Sequence, residues 1–372
     1  MHILADENIA QAAAYFAPYG RLTLRAGRYI DASALHDVDV LLVRSVTGVD
    51  AALLADSPCR FVATATSGID HVDTSYLAAR GIGFAAALGC NAAGVVDYVL
   101  SALAALSVEQ GRDWLHGAIG IVGCGEIGVR LAQRCIALGM TPKIYDPFLN
   151  ATHPLGEYFA ARDEVLRQAL VTLHVPLTNT GAHPTQGMID ASVLAAMPSD
   201  GVLINAARGE VVDETALLAH CRQHPGFQAV LDAWQGEPHI DAKLLRAARY
   251  GTPHIAGYSH GGKLRGTQMI HAAFCAYFAL DPRLASVLLP LEPALLHHAP
   301  ASTALARLIL QAYDLRRDDA ALRQALQGSD PAANFDALRR QYPLRREFSE
   351  FCVQATDPAL QSAVAALGMQ FT

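Results

Sequence analysis

The chain's patterning predicts an α/β protein of two doubly wound parallel-sheet domains with a small C-terminal module, and three observations carry that expectation. Short apolar runs alternate with Ala- and Leu-rich helical segments through the first 90 residues, the pattern of βα repetition and hence of a parallel sheet. A second series of apolar runs begins near Ala118, beyond one long helical stretch. After Leu280 the character changes, with Pro282, Pro290, Pro293 and Pro300 punctuating the chain. At 372 residues, 52% of them hydrophobic, the chain is too long for one ordinary core and apolar enough to bury two or three.

Taken in order, His2 to Ala5, Val38 to Val43, Phe61 to Ala65 and Gly83 to Ala86 are the apolar runs expected as strands of the first sheet. Ala92 to Gln110 follows as a long helical pattern connecting two domains. The second sheet is expected to use five parallel strands: Ala118 to Val122, Pro142 to Tyr145, Val171 to Val175, Val202 to Asn205 and Ala229 to Leu231. Lys263 to Ala279 is another helical pattern, placed to return to the first domain. From Ala301 to Thr372 the pattern is helical and charged, as in Leu315-Arg316-Arg317-Asp318-Asp319 and Leu338-Arg339-Arg340, with no cluster that looks catalytic, and self-association is its expected role. The expected boundaries are 1–92 with 259–285 for the first domain, 93–258 for the second and 286–372 for the C-terminal module.

A formal net charge of −7 argues against a nucleic-acid binder, so any positive site must be concentrated locally. The seven cysteines are odd in number and scattered, without a Cys-x-x-Cys pair, and read as reduced core residues of a cytoplasmic protein. No metal site is expected. Met1-His2-Ile3-Leu4-Ala5-Asp6 enters a strand at once, without a basic leader, and no uncharged apolar run has the length of a membrane span.

The most informative segment is Ala118-Ile119-Gly120-Ile121-Val122-Gly123-Cys124-Gly125-Glu126-Ile127-Gly128, an apolar strand running into Gly-x-Gly-x-x-Gly and an amphipathic helix. Gly123 allows the tight turn, Gly125 lets the backbone approach a diphosphate, and Gly128 lets the helix pack on the strand. The next run ends in Asp146, about 20 residues on, where a ribose hydroxyl needs an acceptor. A Rossmann site for NAD is therefore expected. NADP is disfavoured because Asp146 would repel a 2′-phosphate and Pro147-Phe148-Leu149 supplies no cation. Glu126 stands out as a negative charge close to the expected diphosphate, weakening the cofactor unless it points away.

Polar residues just after apolar runs face the ligand crevice of a doubly wound sheet. Arg208 follows one run, Asp232 and Glu237 the next, and His254 a third. Together they suit oxidation of a hydroxy acid: Arg208 gripping the carboxylate, His254 taking the hydroxyl proton, and Glu237 orienting His254 so that it can accept and return a proton near neutral pH. Singly, each has a plainer reading: a surface ion pair for Arg208, a turn for Glu237-Pro238, a satisfied core histidine for His254. Their joint appearance at successive strand ends favours the catalytic one.

Gly123 to Gly128, Asp146, His174-Val175-Pro176-Leu177-Thr178, Asn205 to Gly209 with Val211-Val212-Asp213, Leu231-Asp232, Glu237-Pro238 and Thr252-Pro253-His254-Ile255-Ala256-Gly257 resemble the D-2-hydroxyacid dehydrogenase superfamily. Within it, Val43-Arg44-Ser45-Val46-Thr47, Gly68 to Asp73, Gly89-Cys90-Asn91-Ala92 and Gly257-Tyr258-Ser259 with Gly262-Lys263-Leu264-Arg265-Gly266-Thr267 resemble the erythronate-4-phosphate dehydrogenase family, as does the extra C-terminal segment. The resemblance implies NAD-linked oxidation of 4-phospho-D-erythronate on the way to pyridoxal 5′-phosphate, and a homodimer formed through that segment. It also implies that Asp146, Val175, Ala206, Ala207, Arg208, Asp232 and the fingerprint residues Gly123, Gly125, Glu126, Ile127 and Gly128, with Gly257, hold the cofactor, and that Ser45, Thr66 and Tyr258 contact substrate. A substrate with a carboxylate at one end and a phosphate at the other needs a second cationic site besides Arg208. Arg44, Lys263 and Arg265 are the candidates on charge, with Ser67 as a further polar neighbour. Two alternatives stay open: a dehydrogenase for another D-2-hydroxy acid such as glycerate 3-phosphate, and an NAD(H)-sensing binding protein.

Overall fold

The structure, a computed structural model, describes residues 1–283, 294–297, 304–354 and 358–371. The chain divides into two compact units, Met1–Asn91 with Ser259–Leu291, and Ala92–Tyr258 with Glu292–Thr372.

The first unit is a five-stranded parallel sheet of β1 (His2–Asp6), β2 (Arg21–Arg25), β3 (Val40–Val43), β4 (Phe61–Thr64) and β5 (Gly83–Ala86), in the order β2-β1-β3-β4-β5. One more strand is present than the apolar runs indicate. β2, Arg-Leu-Thr-Leu-Arg, sits at the sheet edge with no fully buried residue, so it lacks an apolar signal. The order reverses between β1 and β3, where such sheets open a ligand crevice at their carboxyl ends. Arg44 and Ser45 follow β3, and Thr66 and Ser67 follow β4, so these candidates share one sheet edge. The helix His260–Phe278 packs in this unit and begins three residues before the expected Lys263, because the Ser259 hydroxyl caps it by accepting the Gly262 amide at 3.1 Å.

The second unit has six parallel strands: β6 (Ala118–Val122), β7 (Thr141–Tyr145), β8 (Leu170–Leu173), β9 (Val202–Asn205), β10 (Gln228–Leu231) and β11 (Tyr250–Gly251), in the order β11-β10-β9-β8-β6-β7. The sixth, β11, is two residues long and escaped the five-strand reading. Register aligns Val122 with Tyr145 and Leu173, Leu173 with Asn205, Asn205 with Leu231, and Leu231 with Gly251. Each site segment therefore leaves the sheet from the same row. The helix Ala92–Gln110 is buried from Ala92 to Ser107 except at Ala93. Its length and mean hydropathy of 1.5 would suit a membrane span, but it carries Asp97 and Glu109, and 83% of its apolar window is buried inside the protein.

The C-terminal segment packs within this second unit. The buried Ser101 hydroxyl donates to Tyr313 O at 2.8 Å and accepts the Leu315 amide at 3.2 Å. Arg323 donates to the carbonyls of Leu245 and Ala248, and the Gly251 amide donates to Asp319 Oδ1 at 2.7 Å. The segment contains helices Ala304–Ala312, Arg316–Ala325, Pro331–Arg340 and Pro358–Ala366, and a parallel sheet of β12 (Ala294–His297), β13 (Phe351–Gln354) and β14 (Gln370–Phe371). All seven cysteines are buried.

Candidate active site

The fingerprint turn meets its steric requirements. Gly123 has φ +92°, and a Cβ there would lie 2.6 Å from His174 O; a Cβ on Gly128 would lie 2.0 Å from Gly123 O. Both positions exclude a side chain because other backbone occupies the space. Gly125 faces open space and caps the helix Glu126–Ala137, whose first amides receive no side-chain cap. An open glycine at a helix N-terminus is a cradle that fits a diphosphate. Asp146 leaves β7 beside it: Oδ2 accepts the Cys124 amide at 2.9 Å and Oδ1 the Phe148 amide at 3.0 Å, which pins the carboxylate next to the turn. The residues present thus fit a dinucleotide.

Glu126 has a charge partner of its own: its exposed carboxylate pairs with Arg130 Nη1 at 2.5 Å, one helical turn on, so its negative charge is compensated. His174 and Val175 follow β8. His174 is buried, burial lowers its pKa to about 3, and its Nε2 lies 3.0 Å from the Thr172 hydroxyl, so it is a neutral structural imidazole.

Asn205 shapes the loop carrying Ala206, Ala207 and Arg208. Its carboxamide accepts the Ala207 amide at 3.1 Å and donates to Arg208 O at 2.9 Å. The half-buried Arg208 places Nη1 2.9 Å from Ala207 O. Gly209 is obligatory behind it, since a Cβ would lie 2.0 Å from the Trp234 carbonyl carbon.

Asp232 organises the loop that carries His254, a role its sequence position did not reveal. It is 1% exposed; Oδ1 accepts the Thr252 hydroxyl at 2.6 Å and the Ile255 amide at 2.8 Å, and Oδ2 accepts the Ala256 amide at 2.8 Å. Tyr98 from the core helix lies 2.8 Å from the same Thr252 hydroxyl. Burial pushes the Asp232 carboxyl up, opposed by His254 and these donors. His254 between them has φ +55°, a left-handed conformation unusual for a residue with a side chain, so the surrounding hydrogen bonds hold it there. Gly257 and Tyr258 continue from this loop, both partly buried.

His254 Nδ1 lies 2.9 Å from Glu237 Oε2 and 3.1 Å from Oε1. Trp234 fixes the carboxylate from the other side, its amide donating to Oε1 at 2.9 Å, while its indole donates to Thr252 O. Burial acts to raise the Glu237 carboxyl, but the charge and hydrogen bond of His254, and then Arg339, outweigh it and leave it below its ordinary range. With Nδ1 engaged, Nε2 is the imidazole nitrogen left for substrate. Gln235 is held at both ends: its backbone amide donates to Glu214 Oε1 at 2.7 Å and its carboxamide to Val212 O at 2.8 Å.

Arg339 is the residue that sequence reasoning missed. The Leu338-Arg339-Arg340 run reads as part of a charged helical segment with no catalytic-looking cluster, yet Arg339 Nη1 lies 3.8 Å from Glu237 Oε2 and Nη2 lies 3.3 Å from the Tyr258 hydroxyl. The spacing of Leu338 and Phe335, both packed inward on the same helix, is the only signal that could have pointed to it.

In the first unit, the Thr66 hydroxyl donates to Gly68 O at 3.1 Å and lies 2.7 Å from that of Thr64, and the Ser67 hydroxyl accepts the Gly89 amide at 3.0 Å. Ser45 is exposed and Arg44 and Lys263 are half-buried. Arg265 donates to Cys90 O through Nε and Nη2, which gives its guanidinium a role in holding the Gly89–Asn91 turn.

The family model described as D-isomer specific 2-hydroxyacid dehydrogenase, NAD binding domain, matches residues 104–256, and one described as a domain of unknown function (DUF3410) matches residues 290–368. An erythronate-4-phosphate dehydrogenase of Stutzerimonas stutzeri (strain A1501) is 45% identical over 378 residues, covering 99% of each chain. One of Pseudomonas aeruginosa PAO1 is 44% identical over 378 residues and covers 100% of both chains. Among solved structures, the NAD+-bound 3-phosphoglycerate dehydrogenase of Entamoeba histolytica has a TM-score of 0.65 at 20% identity, over 77% of this chain and 99% of that one. The D-lactate dehydrogenase of Aquifex aeolicus, complexed with NAD and lactic acid, has a TM-score of 0.62 at 21% identity, over 75% and 96%.

Proposed function

The chain belongs to the erythronate-4-phosphate dehydrogenase family, and on that premise we propose that it oxidises 4-phospho-D-erythronate at C2 with NAD, giving 2-oxo-3-hydroxy-4-phosphobutanoate for pyridoxal 5′-phosphate synthesis. The observation that carries the reading is the His254–Glu237 pair, held at 2.9 Å, with Glu237 following the strand next to that of Arg208 and His254 the strand after, in a chain 99% covered by its match to a named relative. An NAD-linked oxidoreductase is what the fingerprint, the NAD-binding family model and the relatives' names support in common.

NAD, when bound, accepts the hydrogen leaving C2 together with its electron pair. Gly123, Gly125, Glu126, Ile127 and Gly128 would hold its diphosphate at the helix N-terminus, with Asp146 at the adenosine ribose and Val175, Ala206, Ala207, Asp232 and Gly257 lining the rest. Arg208 grips the substrate carboxylate and sets C2 in place. His254 Nε2 takes the C2 hydroxyl proton as the ketone forms, and Glu237 stabilises the imidazolium that results. Such acid–base help is worth roughly 10² to 10⁴ in rate. Arg44, Ser45, Thr66 and Tyr258 are assigned to the remainder of the substrate, with Arg44 opposite its phosphate. Residues 286–372 are assigned to homodimer formation, and the cytoplasm is the expected compartment.

Arg44→Ala tests the phosphate assignment. Selective loss of kcat/KM for phosphorylated acids supports it, and equal losses for phosphorylated and unphosphorylated acids count against it.

A further inference from the structure

We infer that Arg339, on the C-terminal helix Pro331–Arg340, is a positioning residue of the acid–base site, holding Tyr258 in place and restraining the proton affinity of the His254–Glu237 pair. The inference rests on the catalytic reading of that pair, and it gives the segment matched by the domain of unknown function a part in the chemistry.

The guanidinium's bonding is the first reason. Only 15% of its side chain is exposed, yet among the described residues it makes one 3.3 Å hydrogen bond, to the Tyr258 hydroxyl, and a 3.8 Å ion pair with Glu237 Oε2, and its buried Nε has no partner. Arginines that anchor the C-terminal segment make more hydrogen bonds. Arg323 places Nε 2.9 Å from both Asp319 oxygens and also donates to Leu245 O and Ala248 O; Arg345, whose Nε is likewise without a partner among the described residues, still donates through its two Nη atoms to the carbonyls of Ile255, Gly94 and Ala256. Burying a cation costs several kcal/mol unless geometry is good, so an under-bonded guanidinium here is poorly explained by stability.

Its surroundings are the second reason. The Arg339 guanidinium lies 5.9 Å from the centroid of the Tyr258 ring, and the ring of Tyr342 meets that ring edge-on at 5.9 Å. Two side chains of the C-terminal segment thus set the orientation of a candidate substrate contact. On its other side Arg339 shares the oxygen of Glu237 that lies 2.9 Å from His254. A fixed cation there keeps the carboxylate ionised and opposes a second positive charge on the imidazole. Among the described residues, the other charged or titratable groups that act on the pair or on Arg339 are Asp232 under the His254 loop, Glu214 behind Gln235, whose carboxyl is lifted by burial to about 7, and Tyr258. Arg339 forms an ion pair with Glu237.

The test is the pH profile of kcat/KM for 4-phosphoerythronate oxidation by Arg339→Met and Arg339→Lys, with Tm and NADH affinity measured on the same proteins. Arg339→Met is expected to move the acidic limb upward, because the pair then loses the cation that lies 3.8 Å from Glu237 Oε2. Arg339→Lys keeps the charge and hence the limb, but a single ammonium cannot hold the phenol while facing Glu237, so KM rises about fivefold, equivalent to one hydrogen bond. A folded Arg339→Met protein with an unmoved limb overturns the inference. If that variant does not fold, Arg339→Lys decides, and an unchanged KM overturns it. His254→Ala serves as the separate control: normal turnover by that variant would defeat the catalytic reading itself, whatever Arg339 does.

Discussion

His254 Nδ1 lies 2.9 Å from Glu237 Oε2, while the Trp234 amide holds the other carboxylate oxygen at 2.9 Å. The carboxylate is thereby fixed from two sides, and the imidazole can present only Nε2 to a substrate hydroxyl. Glu237→Gln keeps the shape and the acceptor for Trp234 but removes the charge that stabilises an imidazolium. The expected result is a fall in kcat of about 10²-fold with NADH affinity unchanged; steady-state rates and fluorescence titration check the two halves.

Gly209→Ala probes the support behind that pair. A Cβ at Gly209 would lie 2.0 Å from the Trp234 carbonyl carbon, which is backbone and cannot swing away. The strain should cost about 1–3 kcal/mol and, by displacing Trp234, lower turnover as well. Thermal melts and rates that both match the native protein would contradict this placement.

Asp146→Ala removes the acceptor for the Cys124 and Phe148 amides and the negative charge beside the fingerprint turn. NADH should bind about tenfold more weakly, equivalent to roughly 1.4 kcal/mol, and the preference over NADPH should narrow because nothing then repels a 2′-phosphate. Paired fluorescence titrations with the two reduced cofactors measure both effects.

Asp97, inside the core helix, predicts a pH dependence of stability. Burial pushes its carboxyl from 3.8 up to about 8, reinforced by Glu347 and opposed by the Phe348 amide and Arg345. A group whose folded-state pKa is raised contributes stability that is complete below the unfolded value, near 4, and is lost as pH rises through about 8. Asp97→Asn retains an acceptor for the Phe348 amide, 2.9 Å away in the native protein, and does not titrate. Its Tm should therefore fall less than that of the native protein between pH 5 and pH 8. Parallel losses would show that Asp97 is not the group responsible.

The row of strand ends that positions the site was legible in the sequence because buried parallel strands write continuous apolar runs, and each run here ends at a glycine, an acid or a polar loop. β2 and β11 were not legible for opposite reasons. The first is an exposed edge of alternating Arg, Leu and Thr, and the second is only two residues long. The pairing of Glu126 with Arg130 could have been read from their four-residue helical spacing. Asp232 was readable as a strand-end acid, but its grip on the Ile255 and Ala256 amides depends on how the chain folds back around His254. Arg339 was hidden in a charged run more than 80 residues from its partners, and only tertiary packing buries it.

Nicotinamide fluorescence of the native protein with NAD and 4-phosphoerythronate, set beside glycerate 3-phosphate and D-lactate with a 2-oxo acid drawing the reaction forward, bears most directly on the proposed activity. Reduction selective for 4-phosphoerythronate is the expected result. Preferential reduction with either other acid, or none with all three, would contradict it.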